Sequence, residues 1–438
     1  MVSLTTILTF LASTALISTA APTEPQGLTI ELIKRGAPSF TDSDGVVNLT
    51  SVSGSVANVA GKYAKIDNNG HKTFEDGAKQ WMSGWDANSD ASYQTSRKKS
   101  SYGYKKGKRA ISSKKVTATE SLTNYGNDGM WAGPITIGGK TFTIDFDTGS
   151  ADLWVPSVNC TSTACSGKNL YNYTKTFKSV TPGFTANYGM GSVSCNKGTE
   201  TVTVAGLKAT MQTFGYCYSL DSGFGGNFAA DGLMGMAYQS IAQSGGKPFF
   251  NTLISQNNMN GIFSFRLARA SGGQASTLTL GAVPSGYSVT YTPVVSKDYW
   301  RVNQSAVYVN GIAAVASTQA AIDTGTTYVV APSADAAAFY AAIPGSTNLG
   351  YMGYPSYYAF PCDVSIPTVQ FNYGGKNFTM NSADFNLGLL AAGSNMCVGT
   401  IVASDMFSNM WVVGDSFLKS VLTVYDFTNN RVGFSPAA

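Results

Sequence analysis

Two stretches of the chain open with the same three residues: Asp147-Thr148-Gly149-Ser150 and Asp323-Thr324-Gly325-Thr326, their aspartates 176 positions apart. Ile144 and Phe146 lead into the first, and Ala321 and Ile322 into the second. Two carboxylates delivered from two similar half-structures can meet at one point and share a single proton. Such a pair can activate water for attack on an amide without a metal or a nucleophilic side chain. One Asp in one turn is ordinarily a cap or a turn former, so the repetition carries the signal.

The elements that would position these residues are repeated too. Leu233-Met234-Gly235 ends 88 residues after Asp147, and Val412-Val413-Gly414 ends 91 residues after Asp323. An apolar pair closed by glycine reads as a buried strand passed closely by another backbone. The same order at nearly the same separation points to duplicated lobes rather than short solenoid units. Runs rich in Val, Thr, Tyr and Phe, such as residues 198–205, 276–281 and 422–427, predict strands. Residues 331–343 are the best helical candidate. A chain of 438 residues exceeds one compact core, and its charged share of 12% is half the usual. These features predict a mainly β protein of two or three units.

Composition removes several chemistries. The single histidine, His71, falls in an N-terminal segment expected to be removed. Ser-His-Asp and Cys-His mechanisms are therefore not expected, nor is a histidine-bearing zinc site. Asp and Glu remain as the groups that titrate in mild acid, and neither cofactor nor metal is expected. The six cysteines (160, 165, 195, 217, 362, 397) have no C-x-x-C spacing and allow 15 connectivities. Cys160 and Cys165 close a small loop, Cys362 and Cys397 share the second half, and Cys195 is left with Cys217. Asn159, Asn172, Asn303 and Asn377 open glycosylation sequons.

The N-terminus differs from the rest. Residues 4–20 are apolar and end in Ser18-Thr19-Ala20, which reads as a secretory signal peptide over residues 1–21, too short and small-residue rich for a membrane anchor. Residues 22–115 hold 15 Lys or Arg and 9 Asp or Glu, a net +6, whereas the remainder carries a net −2. The basic overall balance therefore belongs to a segment read as a propeptide, with processing near Lys108-Arg109. Secretion argues against nucleic-acid binding.

From about residue 125 to 438 the chain resembles the pepsin-like aspartic proteases of family A1. The resemblance rests on Phe146-Asp147-Thr148-Gly149-Ser150-Ala151-Asp152-Leu153-Trp154-Val155-Pro156-Ser157, Tyr188-Gly189-Met190-Gly191-Ser192, and Asp231-Gly232-Leu233-Met234-Gly235-Met236-Ala237-Tyr238. It continues through Asp323-Thr324-Gly325-Thr326-Thr327 and Val413-Gly414-Asp415-Ser416-Phe417-Leu418 with Tyr425-Asp426. Cys160/Cys165 and Cys362/Cys397 fall at the family's bridge positions. The resemblance implies a bilobal, mainly β fold: an N-terminal lobe over residues 116–295 and a C-terminal lobe over 296–438, with the cleft between them.

It also implies roles. Asp147 and Asp323 become the catalytic pair. Thr148, Gly149, Ser150, Thr324, Gly325 and Thr326 support them, with Ser150 and Thr326 donating to the outer carboxylate oxygens and the two threonines bonding across the lobe junction. Residues 188–192 become a flap, with Tyr188 hydrogen-bonded to Trp154 and the amides of Gly189 and Met190 holding substrate backbone as an added strand. Phe224 and Leu233 line the same apolar pocket. Met190 replaces the family's usual Thr, Ser or Asp, which predicts a preference for apolar substrate residues. Asp145, two positions before Asp147 on a strand and so on the same face, would tolerate Lys near the scissile bond. Residues 137–142 are shorter than the family's usual loop, which puts a hairpin there in question. Residues 57–63 resemble part of a fungal-type prosegment and nominate Lys62 as the ion that blocks the aspartates.

The expectation is thus a secreted, extracellular acid endopeptidase, with the vacuole as the other destination. It is expected to be a monomer acting on polypeptides and inhibited by its own propeptide and by pepstatin-type compounds, without membrane or nucleic-acid partners. The alternative is an inactive pepsin-like binding or inhibitor protein, which would ordinarily have lost one Asp-Thr-Gly or the flap tyrosine. A glycosidase also uses two carboxylates but has no need of the repeated motif.

Overall fold

A computed structural model describes residue 41, residues 44–49, and residues 115–437 apart from 227, 258, 353, 363–366 and 406–409. The leader, Lys62, His71 and the dibasic pairs at 34–35 and 108–109 lie outside the described residues.

The fold is mainly β and bilobal. The lobes share one antiparallel six-stranded sheet, in the order Thr290–Ser296, Arg431–Pro436, Val421–Asp426, Ile262–Arg266, Ser276–Leu280 and Ala118–Tyr125. The central pairing of Val421–Asp426 with Ile262–Arg266 joins the two halves of the sequence. Tyr425 and Phe263 face one another across it, their rings stacked with centroids 4.9 Å apart.

Each lobe then repeats one local pattern. In the first, the strand Lys140–Asp147 runs parallel to Gly232–Gly235, placing Asp147 opposite Gly235, and Leu153–Pro156 returns antiparallel to Gly232–Gly235. In the second, Thr318–Ile322 runs parallel to Met410–Val413, and Val329–Ala331 returns antiparallel to it. The motif-ending glycines are required by space. A Cβ on Gly235 would meet the backbone of Ala151, and one on Gly414 the carbonyls of Thr326 and Tyr328. Buried strands with apolar side chains on both faces read as continuous runs, as in residues 153–155 and 412–413.

Residues 137–142 do form a hairpin. Met130–Ile137 and Lys140–Asp147 pair through a two-residue turn, Gly138-Gly139, whose positive φ angles (60° and 87°) suit glycine. The helical candidate becomes Ser333–Ala341. A second helix, Phe249–Gln256, was not expected; its buried Phe249, Phe250 and Leu253 pack into the core. Cys160–Cys165, Cys195–Cys217 and Cys362–Cys397 are bonded, with Cys195 directly opposite Cys217 on paired strands. The four sequon asparagines are exposed. Among the described residues, no helix is long and apolar enough to cross a membrane.

Candidate active site

Both Asp-Thr-Gly stretches lie in turns at the ends of their strands, and the two turns meet at the lobe junction. Each aspartate is held identically. Asp147 accepts the Gly149 amide at Oδ1 (2.8 Å) and the Ser150 hydroxyl at Oδ2 (2.7 Å). Asp323 accepts the Gly325 amide at Oδ1 (2.8 Å) and the Thr326 hydroxyl at Oδ2 (2.6 Å). Both carboxylates are buried. Their closeness is registered at Gly325, where an added Cβ would collide with Oδ1 of Asp147 and lie 2.9 Å from Oδ1 of Asp323. The two inner oxygens thus flank one small space that only glycine leaves open.

The threonines fasten the turns to each other. Thr148 N–H donates to Thr324 Oγ1 (3.1 Å) and Thr324 N–H to Thr148 Oγ1 (2.9 Å). Each hydroxyl passes its proton into the opposite lobe, Thr148 to the Ile322 carbonyl (2.9 Å) and Thr324 to that of Phe146 (2.8 Å). Tyr425 adds a hydroxyl 3.3 Å from Thr148 Oγ1. The sequence motif had contained this tyrosine without suggesting its place.

The strands Lys178–Tyr188 and Gly191–Val204 form a hairpin with Tyr188 opposite Gly191 and Gly189-Met190 at the tip, and Tyr188 lies within electrostatic reach of Asp147. Trp154, Tyr188, Met190, Phe224 and Leu233 are gathered in one buried apolar cluster. Tyr188 and Trp154 lie side by side in this cluster. Phe224 packs edge-on against both rings (5.0 and 5.6 Å), whose own centroids are 6.1 Å apart. Burial, then the carboxylates of Asp152 and Asp147, raise the Tyr188 pKa well above the usual phenol value, while the nearby indole opposes the rise. Tyr188 is therefore a neutral phenol in acid. Asp145 is buried on the same strand as Asp147.

Three supports of this hairpin escaped the sequence reading. Asp221 Oδ2 accepts the Ser192 amide and hydroxyl (2.6 and 2.9 Å). Gln243 holds the strand at Asn187, Oε1 accepting its amide (3.0 Å) and Nε2 donating to its carbonyl (3.2 Å). Asp152 in turn clasps the Gln243 loop, accepting the amides of Gln243 (2.7 Å) and Ser244 (3.0 Å). Its pKa is raised because burial outweighs those bonds. Asp152 stood within the first motif without its role being read, and the spacing of Asp221 and Gln243 carries no motif by which they could have been found.

The pairing of two buried aspartates at the meeting of two β lobes defines an aspartic-type peptidase. The model of eukaryotic aspartyl protease matches residues 130–437, and the chain belongs to that family. It is 42% identical over 343 residues to an aspartic protease of Phaffia rhodozyma, covering 76% of this chain and 83% of that one. Major aspartyl peptidase 1 of Cryptococcus neoformans var. grubii is 34% identical over 364 residues, covering 76% and 73%. Pepsin A of Sus scrofa is 32% identical over 335 residues, covering 73% and 84%. The chain is an aspartic-type endopeptidase, whose family implies polypeptide substrates and pepstatin-type inhibition.

Proposed function

We propose that this is a secreted endopeptidase, made as a zymogen and active in acid, that hydrolyses peptide bonds with a water activated between Asp147 and Asp323. The observation that carries the reading is the convergence of both inner carboxylate oxygens on the space beside Gly325. Two carboxyl groups about 3 Å apart do not both ionise readily, so one proton is shared. The ionised partner takes a proton from the water, and the protonated partner polarises the scissile carbonyl. The roles then reverse as the leaving amine is protonated. The tetrahedral intermediate is never bonded to the protein.

The hydroxyls of Ser150 and Thr326 hold the outer oxygens, leaving the inner ones for substrate and water. The flap closes over an extended substrate, its Gly189 and Met190 amides adding a strand's worth of hydrogen bonds while Tyr188 keeps solvent out. Met190, Phe224 and Leu233 favour apolar residues around the scissile bond, and Asp145 admits an occasional Lys. Residues 22–115 act as a propeptide that releases after processing near residue 109, with Lys62 set against the aspartates at neutral pH and released as carboxylates protonate. A monomer suffices, since both halves of the site are in one chain.

Digestion of haemoglobin or casein at acid pH, with and without pepstatin, tests the reading with the wild type, Asp147→Asn and Asp323→Asn. Each variant should stay folded and lose activity by about 10²-fold or more, the contribution of positioned acid–base groups. Proteolysis that survives either change would overturn it.

A further inference from the structure

A short stretch far upstream of the lobes is seated in the C-terminal one. Residues 45–49 (Gly-Val-Val-Asn-Leu) lie alongside Asn386–Leu389, an outer strand of the four-stranded sheet completed by Met396–Gly399, Tyr354–Pro361 and Thr347–Leu349. Val46 pairs parallel with Leu389. The Val47 amide donates to the Leu389 carbonyl (2.7 Å), and the Leu389 amide to the Gly45 carbonyl (2.8 Å). Both backbone groups of Leu389 are therefore satisfied by the upstream stretch.

Side chains follow the backbone. Val47, in the extended stretch, and Leu49, where the chain has turned helical, are 5% and 8% exposed and enter a buried cluster with Tyr299, Ala321, Tyr328, Leu349 and Tyr357. Asn48, between them, is exposed. Ala321 lies two residues before Asp323. The docking strand is shaped for this neighbour at Gly388. Its φ is +131°, and the three atoms nearest to an added Cβ there belong to Gly45, Thr41 and Val47, with none from the sheet itself.

We infer that the edge strand Asn386–Leu389 and the apolar recess beside it are a dedicated docking groove for the chain's own residues 45–49, separate from any ion set against the aspartates. This rests on the reading of residues 22–115 as a propeptide. The groove recognises residues 45–47 by strand addition for affinity, and the side chains of Val47 and of Leu49, where the chain has turned helical, by two apolar sockets for selectivity. Because the contact is made by residues lying far before residue 109, cleavage there does not undo it. The released propeptide stays seated as a non-covalent partner of the processed enzyme until acid or competing peptide displaces it.

The test begins with the full-length chain, processed by its own acid activation and returned to neutral pH. Gel filtration followed by mass spectrometry should find a fragment containing residues 45–49 in the enzyme peak. The zymogen should show slow hydrogen exchange at the Leu389 amide. Val47→Asp with Leu49→Asp should speed that exchange and empty the peak of the fragment. If that double variant does not fold, Val47→Thr with Leu49→Ser serves the same purpose. A labelled synthetic peptide of residues 41–50 added to processed wild-type enzyme needs no variant, and the same peptide with Asp at 47 and 49 should bind about 100-fold more weakly for two lost apolar side chains. Leu389 exchange indifferent to these changes, or equal binding of both peptides, would overturn the groove. An active enzyme still beginning before residue 41 would overturn the propeptide reading instead, while exchange at Leu389 would still decide the strand pairing.

Discussion

Thr148 and Thr324 each accept the other's backbone N–H through the side-chain hydroxyl, at 2.9 and 3.1 Å, from positions 176 residues apart. The arrangement is buried and reciprocal, so the two turns that bear the aspartates cannot shift independently.

Thr324→Val keeps the shape and removes the hydroxyl. The buried Thr148 amide then loses its acceptor, at a cost of about 1–3 kcal/mol. Denaturant unfolding should show a lower midpoint with an unchanged slope. Since the bonds are paired, Thr148→Val with Thr324→Val should cost less than the two single changes added together, a coupling that a double-mutant cycle measures. Strict additivity would show that the bonds act separately.

Gly325→Ala places a methyl group between the inner oxygens of Asp147 and Asp323. The enzyme should remain folded by circular dichroism while kcat/KM drops about 10²–10⁴-fold, and pepstatin affinity should drop with it. Near-normal turnover would mean that the carboxylates do not need that space.

Gln243→Ala releases the amide and carbonyl of Asn187, one residue from Tyr188, and leaves the aspartates untouched. Each bond contributes about 0.5–1.5 kcal/mol, so KM for a peptide substrate should rise about three- to tenfold with a smaller effect on kcat. Limited proteolysis should cut the hairpin faster. Gln243→Glu retains the acceptor but not the donor and should fall between.

Stability in acid depends on a contact between Lys419 and a loop of the first half. Lys419 Nζ lies 2.9 Å from Asp128 Oδ2 and 2.7 Å from Asp384 Oδ1, and Asp384 also pairs with Arg269. Burial by itself would raise the Asp128 carboxyl, but the Lys419 charge and hydrogen bonds from Lys419, Ala270 and Asn124 bring it below the ordinary 3.8. A lowered carboxylate pKa stabilises the folded state above the unfolded value, and that contribution is lost as pH falls through the folded one. Melting temperature should therefore decline below about pH 4, and Asp128→Asn should lower the plateau near neutrality and flatten the decline. An identical pH profile for the variant would remove Asp128 from the account.

Much of the fold and site was legible in the sequence because it is written in short contiguous stretches. Asp-Thr-Gly sets both carboxylate and turn within three residues, the glycine-ended apolar pairs mark the strands that flank them, and six cysteines close to one another in chain or lobe reach their observed pairing. What tertiary structure decided is everything made by surfaces meeting. Gln243 reaches Asn187 across 56 residues, Asp152 reaches Gln243 across 91, and Lys419 reaches Asp128 across 291. None of these has a local signature, since a glutamine or an aspartate becomes a clamp only where packing presents two backbone groups to it. The spacing of Trp154 and Tyr188 was of the same kind, set by Phe224 wedged edge-on against both rings. So was the seat of Val47 and Leu49, which nothing in the sequence placed beside Leu389.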